Sequence, residues 1–104
     1  MHKRLVTRYA TKSAADADEN QRRVEGVFAA LEAAKPDNVS YLVLRLADGS
    51  FVHVSFHDHT DDEPNPIGSL PAFAHFQDGH EARRDGGVDQ QTATLVGAYL
   101  TAIA

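Results

Sequence analysis

Cysteine and tryptophan are absent from this 104-residue chain, and methionine occurs once. The missing thiols exclude disulfides, thiolate metal sites and a cysteine nucleophile, and they fit a reducing compartment. Long apolar runs are missing too. Nothing approaches the roughly 20 apolar residues of a membrane span, and the apolar stretch behind Lys3 and Arg4 is shorter than a signal-peptide core. A cytoplasmic protein without membrane contact is therefore expected. Positive charge is scarce: 10 Lys and Arg stand against 15 Asp and Glu, a formal net charge of −5 with histidines neutral. The cations are scattered (Lys3, Arg4, Arg8; Arg22, Arg23; Arg83, Arg84) and form no stripe with interleaved aromatics. Such a field repels phosphate backbones, so no nucleic-acid partner is expected. The acidic cluster in 58–63 reads as a solvated loop.

What is present is a regular alternation of short periodic segments, enough for one domain, 1–104. Residues 4–11 are β-branched and aromatic with partial alternation, and read as a first strand. Asp16 and Glu19 have capping-box spacing, with Ser13 as a rival cap. Val24, Val27, Phe28 and Leu31 follow at helical spacing until Pro36-Asp37-Asn38, which predicts a helix over 14–35. Residues 40–47 and 50–57 flank Asp48-Gly49 and read as a hairpin. A two-residue turn would pair odd positions with even ones. A three-residue turn with Gly49 left-handed pairs even with even, placing Leu42, Leu44 and Leu46 on one face with Val52, Val54 and Phe56. Burial favours the second register, because a one-residue slip moves every side chain to the other face. Residues 58–68 read as loop. Ser69 caps a second helix with Pro71 in its first turn and a stripe of Leu70, Phe73 and Phe76, lasting to about Arg83. Asp85-Gly86-Gly87 reads as a breaker, and 91–101 as the final strand.

The order β-α-β-β-α-β is the split arrangement of ferredoxin-like α+β folds, with both helices on one face of a four-stranded antiparallel sheet. The aliphatic set from Leu42 to Phe56 is expected to meet Val24, Phe28, Leu31, Phe73 and Phe76 there. The other face then carries Tyr41, Val43, Arg45, Phe51, His53, Ser55 and His57. Leaving Tyr41, Val43 and Phe51 in water would forgo a few kcal/mol, at about 25 cal/mol per Å². Two copies placed face to face remove that loss and enclose a cavity between their sheets, and the final strand can cross to the partner. A homodimer through the open sheet face is therefore expected. The rival reading is a monomer with a partly wet sheet.

The opening strand Thr7-Arg8-Tyr9, the hairpin Leu46-Ala47-Asp48-Gly49-Ser50-Phe51-Val52-His53-Val54 and the helix Leu70-Pro71-Ala72-Phe73-Ala74-His75-Phe76-Gln77 resemble the dimeric α/β-barrel superfamily, in its antibiotic-biosynthesis-monooxygenase-like branch. The resemblance spans nearly the whole chain, and its motifs mostly encode fold. It implies a ferredoxin-like homodimer. Members oxidise polycyclic aromatics without a cofactor, degrade haem, isomerise or cleave small molecules, or have no known activity, so fold alone does not select among them. The haem-degrading members use an Asn/Trp/His set, and this chain has no tryptophan.

Along the second hairpin strand His53, Ser55 and His57 share a face, and Tyr41 and Arg45 reach the same side from the neighbouring strand. A neutral His53 can take a proton from a phenol or an acidic carbon. Arg45 can hold the resulting oxyanion and Tyr41 can hydrogen-bond to it. His53 is the candidate catalytic residue; Tyr41, Arg45, Phe51, Ser55 and His57 are the candidate substrate-binding residues. The competing reading makes His53 a structural hydrogen-bond partner at the dimer seam and Arg45 half of an ion pair. His57 and His59 could chelate a metal only if the strand continued past His57, and the expected strand stops there, so no metal and no cofactor are expected. Phe73 and Phe76 read as core, His75 as surface, and His80 as a partner for the dipole of the second helix. Gly86-Gly87 lacks the context of a phosphate loop, and no nucleophile elbow is present. The expected function is a small-molecule pocket for an apolar or aromatic ligand, of the cofactor-independent monooxygenase kind acting on an aromatic or enolisable substrate. The alternative is a non-catalytic ligand-binding or structural dimer.

Overall fold

The computed structural model describes residues 2–101. In chain order the elements are β1 (His2–Thr11), α1 (Ala14–Ala34), β2 (Val39–Arg45), β3 (Phe51–Asp58), α2 (Pro71–Gln77), α3 (His80–Arg83) and β4 (Arg84–Thr92). The strands form one antiparallel sheet in the order β2-β3-β1-β4. β1 and β2 thus run parallel with β3 between them, which is the ferredoxin-like split β-α-β arrangement. No helix among the described residues is long and apolar enough to cross a membrane.

Local chemistry accounts for most of these elements. Ser13, rather than Asp16, caps α1: its Oγ accepts from the Asp16 backbone N–H at 3.1 Å and donates to Asp16 Oδ2 at 2.9 Å. The helix ends at Lys35, in the left-handed region at φ 49°, just before Pro36. Its buried side is Ala17, Asn20, Val24 and Val27. The hairpin takes the three-residue turn. Leu46 N–H donates to Ser50 O at 2.8 Å, Gly49 sits at φ +86°, and Asp48 Oδ1 accepts from Ser50 N–H. Tyr41 therefore lies opposite Ser55, Val43 opposite His53, and Leu44 opposite Val52. A left-handed glycine is needed at the third turn position, and Gly49 supplies it without a Cβ penalty.

Three expectations are corrected. First, the helices cover the opposite face. Phe51, His53, Ser55 and His57 are buried on the helix side, whereas Leu44 is 53% exposed and Leu42 39% exposed. The aromatic rings explain this choice: Phe28 stacks on Tyr41 at 5.1 Å, Tyr9 on Phe51 at 5.8 Å, and Phe76 packs against His53 at 5.7 Å. The polar groups among them satisfy one another, so their burial carries little penalty.

Second, the second helix is not continuous and Ser69 does not cap it. Ser69 Oγ instead donates to Asn65 O at 2.6 Å. Asp78 leaves the helical region, Gly79 turns at φ +72°, and α3 follows as a separate single turn. Third, the last strand is 84–92 rather than 91–101. Gly86 and Gly87 lie within it, in a bulge where Arg8 pairs with Asp89 and Ala10 with Asp85. Beyond Thr92, among the described residues, the ladder continues only through Ala93 N–H to Arg4 O, and the apolar Val96, Tyr99 and Leu100 are exposed without strand pairing.

Candidate functional site

Between the helix-covered face of the sheet and the segment running from Asn65 through α3 lies a cavity of about 290 Å³. Tyr9, Tyr41, His53, Ser55 and His57 form its floor. Ile67, Phe73, Phe76 and His80 face them from the loop and short helices, and Arg84, Val88 and Gln90 close one edge. The cavity therefore lies within one chain, not between the sheets of two copies as expected from sequence.

His53 is at its centre, and both ring nitrogens are engaged: Nε2 by the Tyr9 hydroxyl at 2.7 Å, Nδ1 by the Tyr41 hydroxyl at 2.6 Å. Burial, reinforced by His80, holds its pKa down at about 4, so the ring is neutral. A neutral imidazole has one donor and one acceptor. One tyrosine must therefore donate to His53 while the other accepts from it. Burial pushes the Tyr9 hydroxyl up to about 12, despite a hydrogen bond from Asn20 and two nearby arginines. Burial and the neighbouring Tyr9 push Tyr41 upward as well. Both phenols thus stay protonated.

The chain of bonds continues into the core. Asn20 Nδ2 donates to Tyr9 Oη at 2.8 Å, and Asn20 Oδ1 accepts from Arg83 Nε and Nη2, each at 3.3 Å. Arg83 also donates to the backbone carbonyls of Phe76 at 2.7 Å and Asp78 at 2.8 Å. One guanidinium therefore ties the end of α2 to α1 and, through Asn20, orients Tyr9. His80, 7% exposed, stands edge-on to Tyr9 with ring centroids 4.5 Å apart. Its Nδ1 faces Arg84 Nη1 at 2.9 Å, while its Nε2 is buried with no partner among the described residues. An unpaired buried polar group costs about 1–3 kcal/mol.

Of the residues singled out from sequence, the cavity gathers Tyr41, His53, Ser55 and His57. The other two sit elsewhere. Arg45 lies against α1, donating to Asp18 Oδ1 at 2.9 Å and Gln21 Oε1 at 2.7 Å. Phe51 is 1% exposed and stacked on Tyr9 in the core. His57 bridges Ser55 Oγ and His59 Nε2, each at 3.0 Å, and β3 does extend one residue beyond it. Among the described residues no group of three or more His, Cys, Asp or Glu side chains is placed to hold a metal. Sequence reasoning missed Tyr9, Asn20, His80, Arg83 and Arg84. Asn20 carried a signal: it is a polar residue in the buried stripe of Ala17, Val24 and Val27. The others depend on contacts across 44 to 63 residues of chain, or on the break at Gly79.

No protein-family model matches the chain, and no curated protein matches it in sequence. Solved structures do. A Caulobacter crescentus protein described as a candidate antibiotic biosynthesis monooxygenase superposes with a TM-score of 0.71 at 15% identity, covering 92% of this chain and 91% of that one. A Nitrosomonas europaea protein of the same description gives 0.71 at 9% identity, covering 91% and 90%. SnoaB from Streptomyces nogalater, described as a cofactor-independent oxygenase and solved in mutant form, gives 0.64 at 19% identity, covering 93% and 95%. By its structure, this chain carries the ferredoxin-like α+β fold that these solved proteins share.

Proposed function

We propose that this protein is a cytoplasmic homodimer whose cavity binds a small aromatic or enolisable molecule and oxidises it without a cofactor. The observation that carries the reading is the Tyr9–His53–Tyr41 chain of hydrogen bonds facing the cavity. The likeness of fold to SnoaB supports it. His53 is the proposed proton acceptor. A substrate proton taken up at Tyr41 Oη lets the Tyr41 proton pass to His53 Nδ1, while Tyr9 holds the far side of the ring. Ser55 and His57 border the same cavity as polar substrate contacts, and Phe73 and Phe76 supply its apolar walls. The substrate carbanion then supplies the electrons that reduce oxygen: a methylene becomes a carbonyl, one oxygen atom enters the product and the other leaves as water.

The energetics limit this role. Moving a proton from a phenol near pKa 10 to an imidazole held at about 4 spans about 6 units, roughly 8 kcal/mol. His53 acts as a base only if the cavity stabilises the substrate anion. This weakness favours a second reading, in which the cavity binds its ligand and leaves it unchanged. The dimer proposal rests on the outward sheet face, where Leu42, Leu44 and Phe56 are exposed. A second copy is the natural cover for such a face.

Oxygen uptake and product analysis with hydroxynaphthalenes test the enzyme reading. Turnover without added metal or flavin is expected, with label from oxygen gas in the product. Tyr41→Phe and His53→Ala should each lower kcat by about 100-fold or more, within the range of general acid–base catalysis. Saturable binding with no oxygen uptake would leave the binding reading alone standing.

A further inference from the structure

We propose that the Nε2–H of His80 is the hydrogen-bond donor that receives an anionic oxygen of the cavity's ligand, a phenolate or enolate, with Arg84 as its positioning residue. The inference rests on the reading above that the cavity binds a small molecule, and it names the group that would recognise the anion.

A guanidinium has donors only, so Arg84 Nη1, 2.9 Å from His80 Nδ1, obliges that nitrogen to accept with its lone pair. Burial, then Arg84 and Arg83, keep the ring neutral at working pH. Its single proton must therefore sit on Nε2. That atom is buried and has no acceptor among the described residues, in a residue more than nine-tenths buried. Its neighbours are aromatic: Tyr9 edge-on, and Phe76 with ring centroids 5.0 Å away. His80 lines the cavity, and because Nε2 itself has almost no accessible surface, an acceptor reaches it there only as the lining shifts.

Charge then selects the kind of acceptor. The chain carries a net charge of −5, yet among the described residues the cavity lining contains no Asp and no Glu, and its one cation is Arg84. The two tyrosines and His53 beside it are neutral. An anion entering here meets no like charge. The guanidinium behind the imidazole polarises Nε2–H towards it, and burial strengthens the interaction relative to water. A carbonyl would also satisfy the donor, but it would make no use of the charge.

The test uses the full chain and 4-nitrophenol, whose ionisation is read by absorbance. Bound to the wild type, the probe should titrate at least one unit lower than in free solution, meaning that the phenolate binds at least about tenfold tighter than the phenol. His80→Phe, which keeps an aromatic ring in place, should abolish the shift. His80→Gln, which can still present an N–H, should retain part of it, and Arg84→Gln should reduce it. A second readout needs no variant at His80. With nitrogen-15 histidine, the wild-type His80 should be the Nε2–H tautomer, its Nε2 resonance should move on saturation with probe, and Arg84→Gln should let the tautomers mix. Probe binding with an unshifted titration overturns the assignment. So does a shift that survives His80→Phe in folded protein, or an Nε2 resonance indifferent to probe. Absence of saturable binding to the wild type overturns the cavity reading and this one together.

Discussion

On β3, Phe51, His53, Ser55 and His57 are buried beneath the helices, while Val52, Val54 and Phe56, each one residue away, face outward and are half-buried or exposed. By hydropathy alone the outward set is the better core. The inward set is buried because its polar atoms find partners: His53 in two tyrosines, Tyr9 in Asn20, Ser55 in His57. A face whose hydrogen bonds close on themselves can lie under helices, whereas the outward face, mostly apolar but interrupted by Arg4 and Arg8, needs no specific polar partner and can be covered by a second copy. One side of the sheet is specific, its buried polar atoms paired with one another, and the other is generic.

Acid should separate the two faces most strongly. His53 and His80 have folded pKa values near 4 against an ordinary 6.5, so the folded state binds fewer protons than the unfolded one between those limits. Their stabilisation is complete above about 6.5 and is lost as pH falls towards 4, by up to about 3 kcal/mol each. His57 is shifted the same way by burial, His59 and Lys3. Glu19, held at about 2 by Arg23 and Arg22, loses its partners only at lower pH, so the histidine window is distinct. Urea unfolding at pH 7 and pH 4.5 checks this, and a flat profile would contradict a buried neutral His53.

Phe51→Ala should come next, costing about 3–5 kcal/mol in unfolding free energy, because it empties a fully buried site stacked on Tyr9. Leu44→Asp on the outward face should leave the protomer folded but weaken self-association by about 100-fold, roughly 3 kcal/mol, seen by sedimentation across a concentration series. If Leu44→Asp unfolds the protomer while Phe51→Ala is tolerated, the assignment of the two faces is reversed. Tyr41→Phe should cost about 1–2 kcal/mol, since it leaves His53 Nδ1 without its partner. Arg45→Ala should change stability by less than about 1 kcal/mol and ligand binding not at all. Its ion pair with Asp18 is exposed and lies outside the cavity. Measurable loss of ligand affinity in Arg45→Ala would bring Arg45 back into the site.

Much of the fold was legible in the residues. Periodicity located α1 and the hairpin, and burial selected the turn register that Gly49 realises. Composition misplaced the last strand: the polar 84–92 segment forms it because β1 offers an edge there, while the more apolar 93–101 runs past that edge. Four of the six singled-out site residues meet at the cavity because strand alternation keeps them on one side. Arg45 shares that side, but its long side chain reaches α1 instead.

By itself, then, the sequence determined the elements, their pairing parity and which residues travel together on a face, since these follow from local geometry with periods of two and 3.6 residues. Only the tertiary structure decided which face the helices cover, and it alone joined Asn20, Arg83 and His80 to the strands. Those outcomes depend on whether buried polar atoms find partners tens of residues away, and no local pattern encodes that.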